Sequence, residues 1–529
     1  MARQVALGGE FKKRGLLAGR SAPEKAVLLA GLGFASGLVL MGSFDFFFLF
    51  AGLTVAVVSV VITAPANIYG GRSLAAMRAE SAYRKYRKYA GLGVYDSLHE
   101  QTALVSVQEY KQATKKKQKA KRPQGFAARR AERRRAGDHP APLMVGRMSV
   151  KEVDFSSHER LAVFRHANST PTFYTAIFEV RGSAGGVVEE DVEDIPHIGF
   201  GRVLARAARR TSAVSHIQSF TRSIPLDITD HVSWLADYVD PHAHGNLVRS
   251  YQELCLQVED RAEQHRSYWV LRFDSKTALH RATAAQPQGP LAVYAAIVQE
   301  AQALMSQAVA HKAIRGYRAV DSEMAASILA HLQDPYTFKI DDADVTLQSV
   351  WQKLDQDKTR QAVLVNDRAY TRVAYIPRHG FMAGSALPVQ AMRQLVTGIV
   401  PAVIHSVSWI NELVDASEAR AQAMSDRTSD KAKTHADATK GKLSDGTEQV
   451  MSNSSDQRAA DLMPGTGHHG VGWGAYLSFT VESEADLLRV STQIESVATD
   501  CGIDRLTWLD DRHDMALMAV LPMGRGIRK

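Results

Sequence analysis

Two pairs of closely spaced histidines are the residues whose types and spacing come nearest to a metal site. His242 and His244 are separated by one alanine, and His468 and His469 are adjacent. A nuclease of the relaxase type needs a metal-binding histidine cluster and a nucleophilic tyrosine, and zinc needs three or four ligands. Two pairs that are far apart in the chain fall short of such a cluster. We therefore interpret these side chains as loop histidines and predict no metal site.

Carboxylate and thiol chemistry has similarly weak support. Asp510, Asp511 and Asp514 have the acidity to bind a cation, but turn and helix-cap roles are far commoner for such residues. Cys255 and Cys501 are distant from each other, which argues against a disulfide framework or a zinc site and fits a reducing compartment. No Ser-His-Asp or Cys-His arrangement can be defended from the spacing.

A nucleotide-binding loop is the next chemistry to consider. A P-loop has the pattern G-x-x-x-x-G-K-[ST], in which backbone amides cradle phosphate and the hydroxyl holds magnesium. The chain has one Gly-Lys pair, Gly441-Lys442, but Leu443 follows it and Ala436 stands where the first glycine should be. The segment GSAGG at 182–186 lacks the lysine and is interpreted as a loop. We therefore predict a protein that is not an enzyme and that uses no cofactor.

A dense basic tract occupies residues 115–135, with 11 Lys and Arg against one acid, Glu132. Anionic lipid attracts such a tract, each cation near the surface being worth roughly 1 kcal/mol, and DNA phosphates attract it as well. Because the tract follows two apolar segments and has no folded element that could read a DNA groove, we favour lipid and keep weak DNA contact as the alternative. The residues assigned to anionic lipid are Lys115, Lys116, Lys117, Arg133, Arg134 and Arg135.

Two apolar runs at residues 26–43 and 46–64 precede this tract. Each is near the roughly 20 residues that span a bilayer, and Asp45 is the only charged residue between Ala26 and Thr63. Small residues allow membrane helices to approach closely, so we expect the small residues of the two runs to face each other. Those in the first run are Gly31, Gly33, Ala35, Ser36 and Gly37, and those in the second are Gly52 and Ala56.

The charges around the runs predict their orientation. The first 135 residues contain 24 Lys and Arg and 8 Asp and Glu, a net charge of about +16, whereas the whole chain carries +8. Basic residues flank both outer ends of the hairpin, so the positive-inside rule places both termini in the cytoplasm. We expect a multi-pass protein of the inner (plasma) membrane. A secretory signal peptide, which has a shorter apolar stretch, and a buried soluble hairpin are the alternatives.

The remaining chain alternates short β-branched and aromatic runs with amphipathic ones, which predicts a mixed body of the α+β class. Helices are expected, among others, over 247–266 and 388–397, and a long polar helix over 415–460 with an interruption at 441–446. The predicted organisation is a basic arm at 1–25, a two-span transmembrane hairpin at 26–64, a basic juxtamembrane helix and linker at 65–142, an α+β cytoplasmic domain at 143–380 and a C-terminal α/β subdomain at 381–529.

Several of these segments resemble a known family. The hairpin with its basic exit resembles the small two-span inner-membrane subunit of type IV secretion systems (the PrgI type). The body is similar to the N-terminal, non-motor part of the type IV secretion ATPase, and the whole chain looks like the actinobacterial conjugation proteins described as integral membrane or type IV secretion components. The segments that carry the likeness are YTAIFEVRG at 174–182, SHIQSFTRSIPLD at 215–227, SYQELCLQ at 250–257, YWVLRFD at 268–274 and LPMGRGI at 521–527.

This resemblance implies a function and partners. In the full ATPase a motor domain with its P-loop follows the point where this sequence stops, so the likeness implies a structural adaptor that docks a separate motor ATPase and other membrane subunits, in a homo-oligomeric DNA-transfer apparatus. No catalytic residue can be transferred from the family. A type VII-like secretion component and a membrane-tethered nucleic-acid enzyme are the alternatives.

Overall fold

The structure, a computed structural model, divides into two units, Phe11–Gly93 and a body formed by Met1–Glu10 with Val94–Lys529. The residues that it describes are 4–6, 22–41, 46–63, 73–75, 77–78, 81–82, 94–95, 145, 148–167, 172–182, 190–226, 229–240, 242–259, 262–287, 289, 291–340, 345–347, 349–377, 386–388, 391–397, 399, 402–439, 447–463, 470–504 and 506–526.

The smaller unit contains two helices, α1 (Ala22–Met41) and α2 (Phe46–Thr63), which pack on each other. Apart from Glu24 and Lys25 in the first turn of α1, both are apolar on all sides, which is typical of a helix whose surroundings are apolar. Most of the predicted linker at 65–142 lies outside the described residues.

The body is built on one large antiparallel sheet. Its 13 strands include a central run in the order β11-β14-β13-β6-β7-β5-β4-β3, and β1 pairs separately with β12. The strands are β1 (Gln4–Ala6), β2 (Val94–Tyr95), β3 (Met148–Asp154), β4 (Arg160–His166), β5 (Phe173–Arg181), β6 (His216–Pro225), β7 (Glu263–Asp274), β8 (Gly316–Ala319), β9 (Leu354–Asp355), β10 (Val363–Val365), β11 (Ala369–Ile376), β12 (Ala386–Pro388), β13 (His405–Val414), β14 (Gly470–Val481) and β15 (Thr507–Trp508).

Helices cover both faces of this sheet, which confirms the predicted mixture of helix and strand. Strands from both sides of the predicted boundary near residue 380 belong to the same sheet. The helices of the body are α3 (Glu190–Ala207), α4 (Thr229–Tyr238), α5 (Gly245–Glu259), α6 (Thr277–Ala284), α7 (Ala292–Ala310), α8 (Ser322–Gln333), α9 (Gln394–Thr397), α10 (Ala416–Thr439), α11 (Thr447–Asp461), α12 (Glu484–Asp500) and α13 (His513–Val520), with a short 3-10 turn at Ala391–Arg393.

The core lies on both faces because successive side chains of a strand point in opposite directions. In β5, Ile177 joins a cluster that includes α8 and α13, whereas its neighbour Phe178 joins a second cluster with α3 and α7. A third cluster packs α12 on β11 and β14, with Leu487 and Ile494 buried. Strands covered on both sides need apolar residues at nearly every position, which explains why β4, β5 and β14 were readable as strands from sequence.

Two helix predictions are wrong in their extent. The helix expected over 247–266 ends at Glu259, and the strand β7 begins at Glu263 because its backbone pairs along its length with β6. The helix expected over 388–397 is reduced to Gln394–Thr397, since Ala386–Pro388 pairs with Gln4–Ala6 instead. Pairing across the sheet satisfies backbone donors and acceptors that local periodicity cannot count.

Candidate functional site

The basic tract assigned to lipid lies outside the described residues. All six assigned cations, Lys115, Lys116, Lys117, Arg133, Arg134 and Arg135, are in the segment between Tyr95 and Val145. The assignment therefore stays a prediction, and the site that can be built from coordinates starts with the two apolar helices.

The helices α1 and α2 touch through small residues. A Cβ added to Gly31 would collide with the side chain of Ser59, and one added to Gly52 would lie 3.0 Å from the carbonyl oxygen of Ala35. Only residues without a large side chain allow two helices to approach this closely. The predicted contact of small residues is confirmed for Gly31, Ala35 and Gly52. Gly33 and Gly37 have open space around them, so the expectation that they join the contact is wrong.

The hydroxyl groups of these helices are satisfied within the helices themselves. Each of the four described hydroxyls donates to the carbonyl four residues before it, at 2.7–2.9 Å, and they belong to Ser36, Thr54, Ser59 and Thr63. This back-bonding satisfies these four hydroxyl groups without water. An environment of hydrocarbon requires such internal satisfaction.

The outer surface of the pair is apolar and exposed. Phe46 and Leu40 are each 80% exposed, and Phe47, Phe34 and Phe50 are also largely exposed. Among the described helices, one is long and apolar enough to cross a membrane by length and composition: Phe46–Thr63, with a mean hydropathy of 2.5. A core helix or a signal sequence passes the same test. Spanning by α1, and hence a two-span hairpin, therefore stays a prediction.

The close approach at Gly31 makes a testable prediction. Gly31→Val is expected to separate the helices and to destabilise their association by about 1–3 kcal/mol, because the added side chain overfills the contact. Gly33→Val is the matched control, since it adds the same side chain two residues away in open space. The measurement is the midpoint of an SDS titration of the detergent-solubilised chain, followed by circular dichroism. Equal midpoints for the two variants would contradict the contact.

The histidines singled out in the sequence do not form a metal cluster where they are described. The backbone N–H of His242 donates to Asp240 at 2.8 Å, and Nδ1 of His244 accepts from the N–H of Asn246 at 3.3 Å. Both contacts belong to the turn that begins α5. His468 and His469 lie outside the described residues, and no group of three or more His, Cys, Asp or Glu within the described ranges could hold a metal ion.

Asp510 and Asp511 are engaged in ion pairs. Asp510 accepts from Arg372 Nη2 at 3.2 Å and from His513 Nε2 at 3.3 Å, while Asp511 pairs with Arg360 at 3.1 Å. Although burial raises the pKa of Asp510, the hydrogen bond from His513 and the charge of Arg372 bring that pKa below its usual range. Asp514 is buried at the start of α13. These partners make structural roles the better interpretation of the carboxylates.

Four of the sequence segments that carry the family likeness meet around residues 519–526. Gln218 Oε1 accepts from the N–H of Gly524 at 2.7 Å, and its Nε2 donates to the carbonyl of Leu521 at 2.9 Å. Arg272 Nη1 donates to the carbonyl of Gly524 at 3.0 Å. The methyl group of Thr175 lies 3.1 Å from where a Cβ of Gly524 would be, so β5, β6 and β7 together hold this stretch of backbone. We call residues 519–526 the clamped segment.

The clamped segment also leaves no space for a side chain at Gly526. This residue has a φ of +128°, which favours glycine, and an added Cβ would lie 2.9 Å from atoms of Ala519, Ile410 and Tyr476. The hydroxyl of Tyr476 donates to the Gly526 carbonyl. The glycines of LPMGRGI therefore serve close packing against the sheet.

A buried histidine completes this arrangement. Arg525 Nη2 donates to Nδ1 of His166 at 2.9 Å, so the other ring nitrogen, Nε2, carries the proton and donates to Thr175 at 3.0 Å. Burial, and then the charges of Arg525 and Arg272, hold the pKa of His166 well below its usual range. The His166 ring is thus neutral near pH 7. It links its neighbours by hydrogen bonds and does not act as a general acid or base.

A second polar cluster lies inside the sheet around Arg222. The Nη1 atom of this buried arginine donates to Ser406 on the neighbouring strand at 3.0 Å, whereas its Nε and Nη2 have no partner among the described residues. Burial lowers the pKa of Arg222 to about 9 and that of His331 to about 3. Sequence reasoning missed this cluster because an arginine on an alternating strand is normally assigned to the solvent face.

Comparison with known proteins returns no match of this chain to a protein-family model or to a curated protein.

Proposed function

We propose that this chain is a membrane-anchored structural adaptor of a conjugative type IV secretion apparatus. In this proposal, the α1–α2 pair spans the plasma membrane as a hairpin, both termini lie in the cytoplasm, and the body docks a separate motor ATPase. The basic tract at 115–135 holds the chain on anionic lipid, and the adaptor acts as a homo-oligomer alongside other membrane subunits.

The observation that carries the proposal is the packed, apolar helix pair. Its contact at Gly31 and Gly52 supports a hairpin of two adjacent spans, because small residues at the contact are typical of packed membrane helices. Internal satisfaction of all its described hydroxyls is what hydrocarbon surroundings require. The assignment to conjugation rests on the sequence resemblance alone.

The non-catalytic role is supported by how the polar residues of the body are used. His166, Asp510 and His513 form hydrogen bonds inside the body. Burial also raises the pKa of the Cys501 thiol, which makes it a poor nucleophile. These side chains stabilise a scaffold, and a scaffold that joins the membrane to a motor is what the resemblance implies.

Cysteine labelling of intact cells tests the anchor. In a chain whose own cysteines are replaced (Cys255→Ser, Cys501→Ser), we expect Ser43→Cys to react with an impermeant maleimide from outside, because the positive-inside rule places the turn there. Thr492→Cys, an exposed position on α12, should react only after the cells are permeabilised. Labelling of Thr492→Cys in unbroken cells, or protection of Ser43→Cys, would reject the proposed topology.

Co-purification tests the adaptor role. The full chain, extracted from the membranes of its own cells in mild detergent, should retain a motor ATPase. Recovery without any ATPase under cross-linking conditions would contradict the docking role, and metal-dependent DNA cleavage by the purified chain would replace the adaptor by an enzyme.

A further inference from the structure

The segment between β6 and β7 is far longer than the sheet requires. The two strands are antiparallel neighbours, with Ile224 opposite Gln264, and such a pair can be joined by a two-residue turn. Instead residues 226–262 leave the sheet, form α4 and α5, and return, with the N–H of Leu226 bonded to the carbonyl of Ala262 at 3.0 Å. A long excursion with a closed base is usually retained for a function other than folding.

The surface of α4 and α5 exposes an unusual amount of apolar area. Tyr238 is 71% exposed, Leu247 70%, Trp234 54% and Leu254 52%. Soluble surfaces rarely carry contiguous apolar patches of this kind unless another molecule covers them. On α5 the exposed Leu247, Tyr251 and Leu254 recur at helical spacing, which forms a stripe roughly 10 Å long.

The aromatic side chains of this surface are ordered relative to one another. The rings of His231 and Trp234 stack at 5.9 Å, and those of Trp234 and Tyr238 at 5.6 Å. His231 Nε2 is 3.0 Å from the hydroxyl of Tyr251, which connects α4 to α5. Side chains that already hold each other lose little conformational entropy on binding, and Trp and Tyr are the residue types that dominate binding energy at interfaces.

The negative charge of the α4–α5 surface favours a basic partner. Residues 229–259 contain five acidic residues, Asp230, Asp237, Asp240, Glu253 and Glu259, against one basic residue, Arg249. An anionic membrane repels such a surface, and a second copy of it would bring like charges together. A helix with an apolar face and Lys or Arg beside it fits both the stripe and the charge.

We propose that the α4–α5 surface is the docking site for a basic amphipathic helix of a partner subunit. The inference deepens the adaptor role and rests on it for the identity of the assembly. Trp234 and Leu247 are the central contacts, and Asp237, which stands between Trp234 and Tyr238 in α4, attracts the basic flank.

A binding titration with a defined peptide tests the surface. The probe is a fluorescent 18-residue helix with leucine along one face and lysine beside it, added to the full chain in nanodiscs of zwitterionic lipid. Trp234→Ala is expected to weaken binding about tenfold or more, as truncation of an interface anchor does. The matched control is Leu488→Ala, an exposed apolar residue on α12, which should leave binding unchanged.

Charge reversal tests the chemistry of the partner. The same peptide with glutamate in place of lysine should bind the native surface at least about tenfold more weakly. Asp237→Lys should reduce this ratio between the affinities for the two peptides. Equal binding of both peptides, or an equal loss in Trp234→Ala and Leu488→Ala, would overturn the proposal. Self-association in sedimentation that Trp234→Ala abolishes would assign the surface to a second copy, and capture by anionic vesicles that Trp234→Ala abolishes would assign it to lipid; either result overturns the proposed occupant.

The same variant separates this inference from the proposed function. If the chain is anchored and co-purifies with the motor ATPase but Trp234→Ala binds the lysine peptide as tightly as the native chain, the docking surface is rejected and the adaptor role stands. If the native chain retains no ATPase yet binds the lysine peptide through Trp234, the surface stands and the adaptor role is rejected.

Discussion

Gln218→Met is expected to lower the free energy of unfolding of the body by about 2–4 kcal/mol. The glutamine side chain is fully buried and holds the clamped segment to the middle of the sheet. It bonds the N–H of Gly524 at 2.7 Å, the carbonyl of Leu521 at 2.9 Å and the hydroxyl of Ser408 at 2.8 Å. Methionine has nearly the same volume but cannot make these bonds.

The size of the effect comes from the groups that are left behind. The Gly524 N–H stays buried without a partner after the substitution, which costs about 1–3 kcal/mol, whereas the Leu521 carbonyl keeps its bond from the N–H of Met523 at 2.7 Å. Ser408 keeps its bond to the carbonyl of Ala519 at 2.9 Å, so it adds little to the loss. The loss is therefore larger than the net value of a typical hydrogen bond.

Urea unfolding of the detergent-solubilised chain, followed by tryptophan fluorescence, measures this loss. The control is Gln422→Met on α10, where the exposed glutamine bonds only Asp426 of its own helix, and where a change below about 0.5 kcal/mol is expected. A shift for Gln218→Met no larger than for Gln422→Met would show that water or a neighbouring side chain replaces the lost bonds.

This contact illustrates what the sequence could not predict. A strand around Gln218 could be predicted, because residues 214–224 are rich in β-branched and aromatic types. A polar residue at a buried position of such a strand must have hydrogen-bond partners, but the sequence does not show which groups they are. Its partners lie about 300 residues away along the chain. Four of the five segments of the family likeness meet there, which explains why they could be recognised singly but not connected.

The helix pair shows a different limit of sequence reasoning. Gly31 and Ala35 are four residues apart, and so are Gly33 and Gly37, so the sequence offers two small-residue stripes on different sides of α1. The structure uses the first stripe, because it meets Gly52 and Ser59 of α2. Composition predicted a close contact, and only the rotation of the helix about its axis decides which stripe makes it.

The exposed apolar surface of α4 and α5 was not predicted from the sequence. Tyr251 and Leu254 belong to a segment singled out for the family likeness, and helical periodicity predicted a helix there. Periodicity alone treats every apolar stripe as core-facing. The exposure of Leu247 and Leu254 could be recognised only once the sheet was shown to be covered by other helices.

Acidification from pH 6.5 to pH 5 is expected to destabilise the body by about 3 kcal/mol, or about 1.6 kcal/mol for each of the two buried histidines whose folded pKa lies below this range, His331 and His405. Burial lowers the pKa of His331 to about 3 and that of His405 to about 4, and it also lowers the pKa of His166 and His513. Well above pH 6.5 these rings are neutral in both the folded and the unfolded state, and stability is complete. As the pH falls, the unfolded chain binds protons that the folded chain does not bind, so stability is lost.

Hydrogen bonding explains why the buried histidine rings stay unprotonated in the folded state. Nδ1 of His513 accepts from the backbone N–H of Val373 at 3.1 Å, and Nδ1 of His166 accepts from Arg525 at 2.9 Å. Neither donor can become an acceptor, so protonation of the ring would break the bond and place two positive hydrogens against each other. The cost adds to the loss of hydration that burial imposes on an imidazolium.

The pH dependence of single variants separates this linkage from a general loss of packing. Free energies of unfolding are measured in urea between pH 5 and pH 6 for the native chain, His513→Gln and the control His242→Gln. Burial holds the pKa of His513 below its usual value, so His513→Gln should have a smaller slope than the native chain even if the variant is less stable at every pH. His242 is exposed, and His242→Gln is the control for a substitution that keeps the buried rings. An unchanged slope in His513→Gln would mean that the folded ring is protonated in this range, with its Nδ1 turned away from Val373.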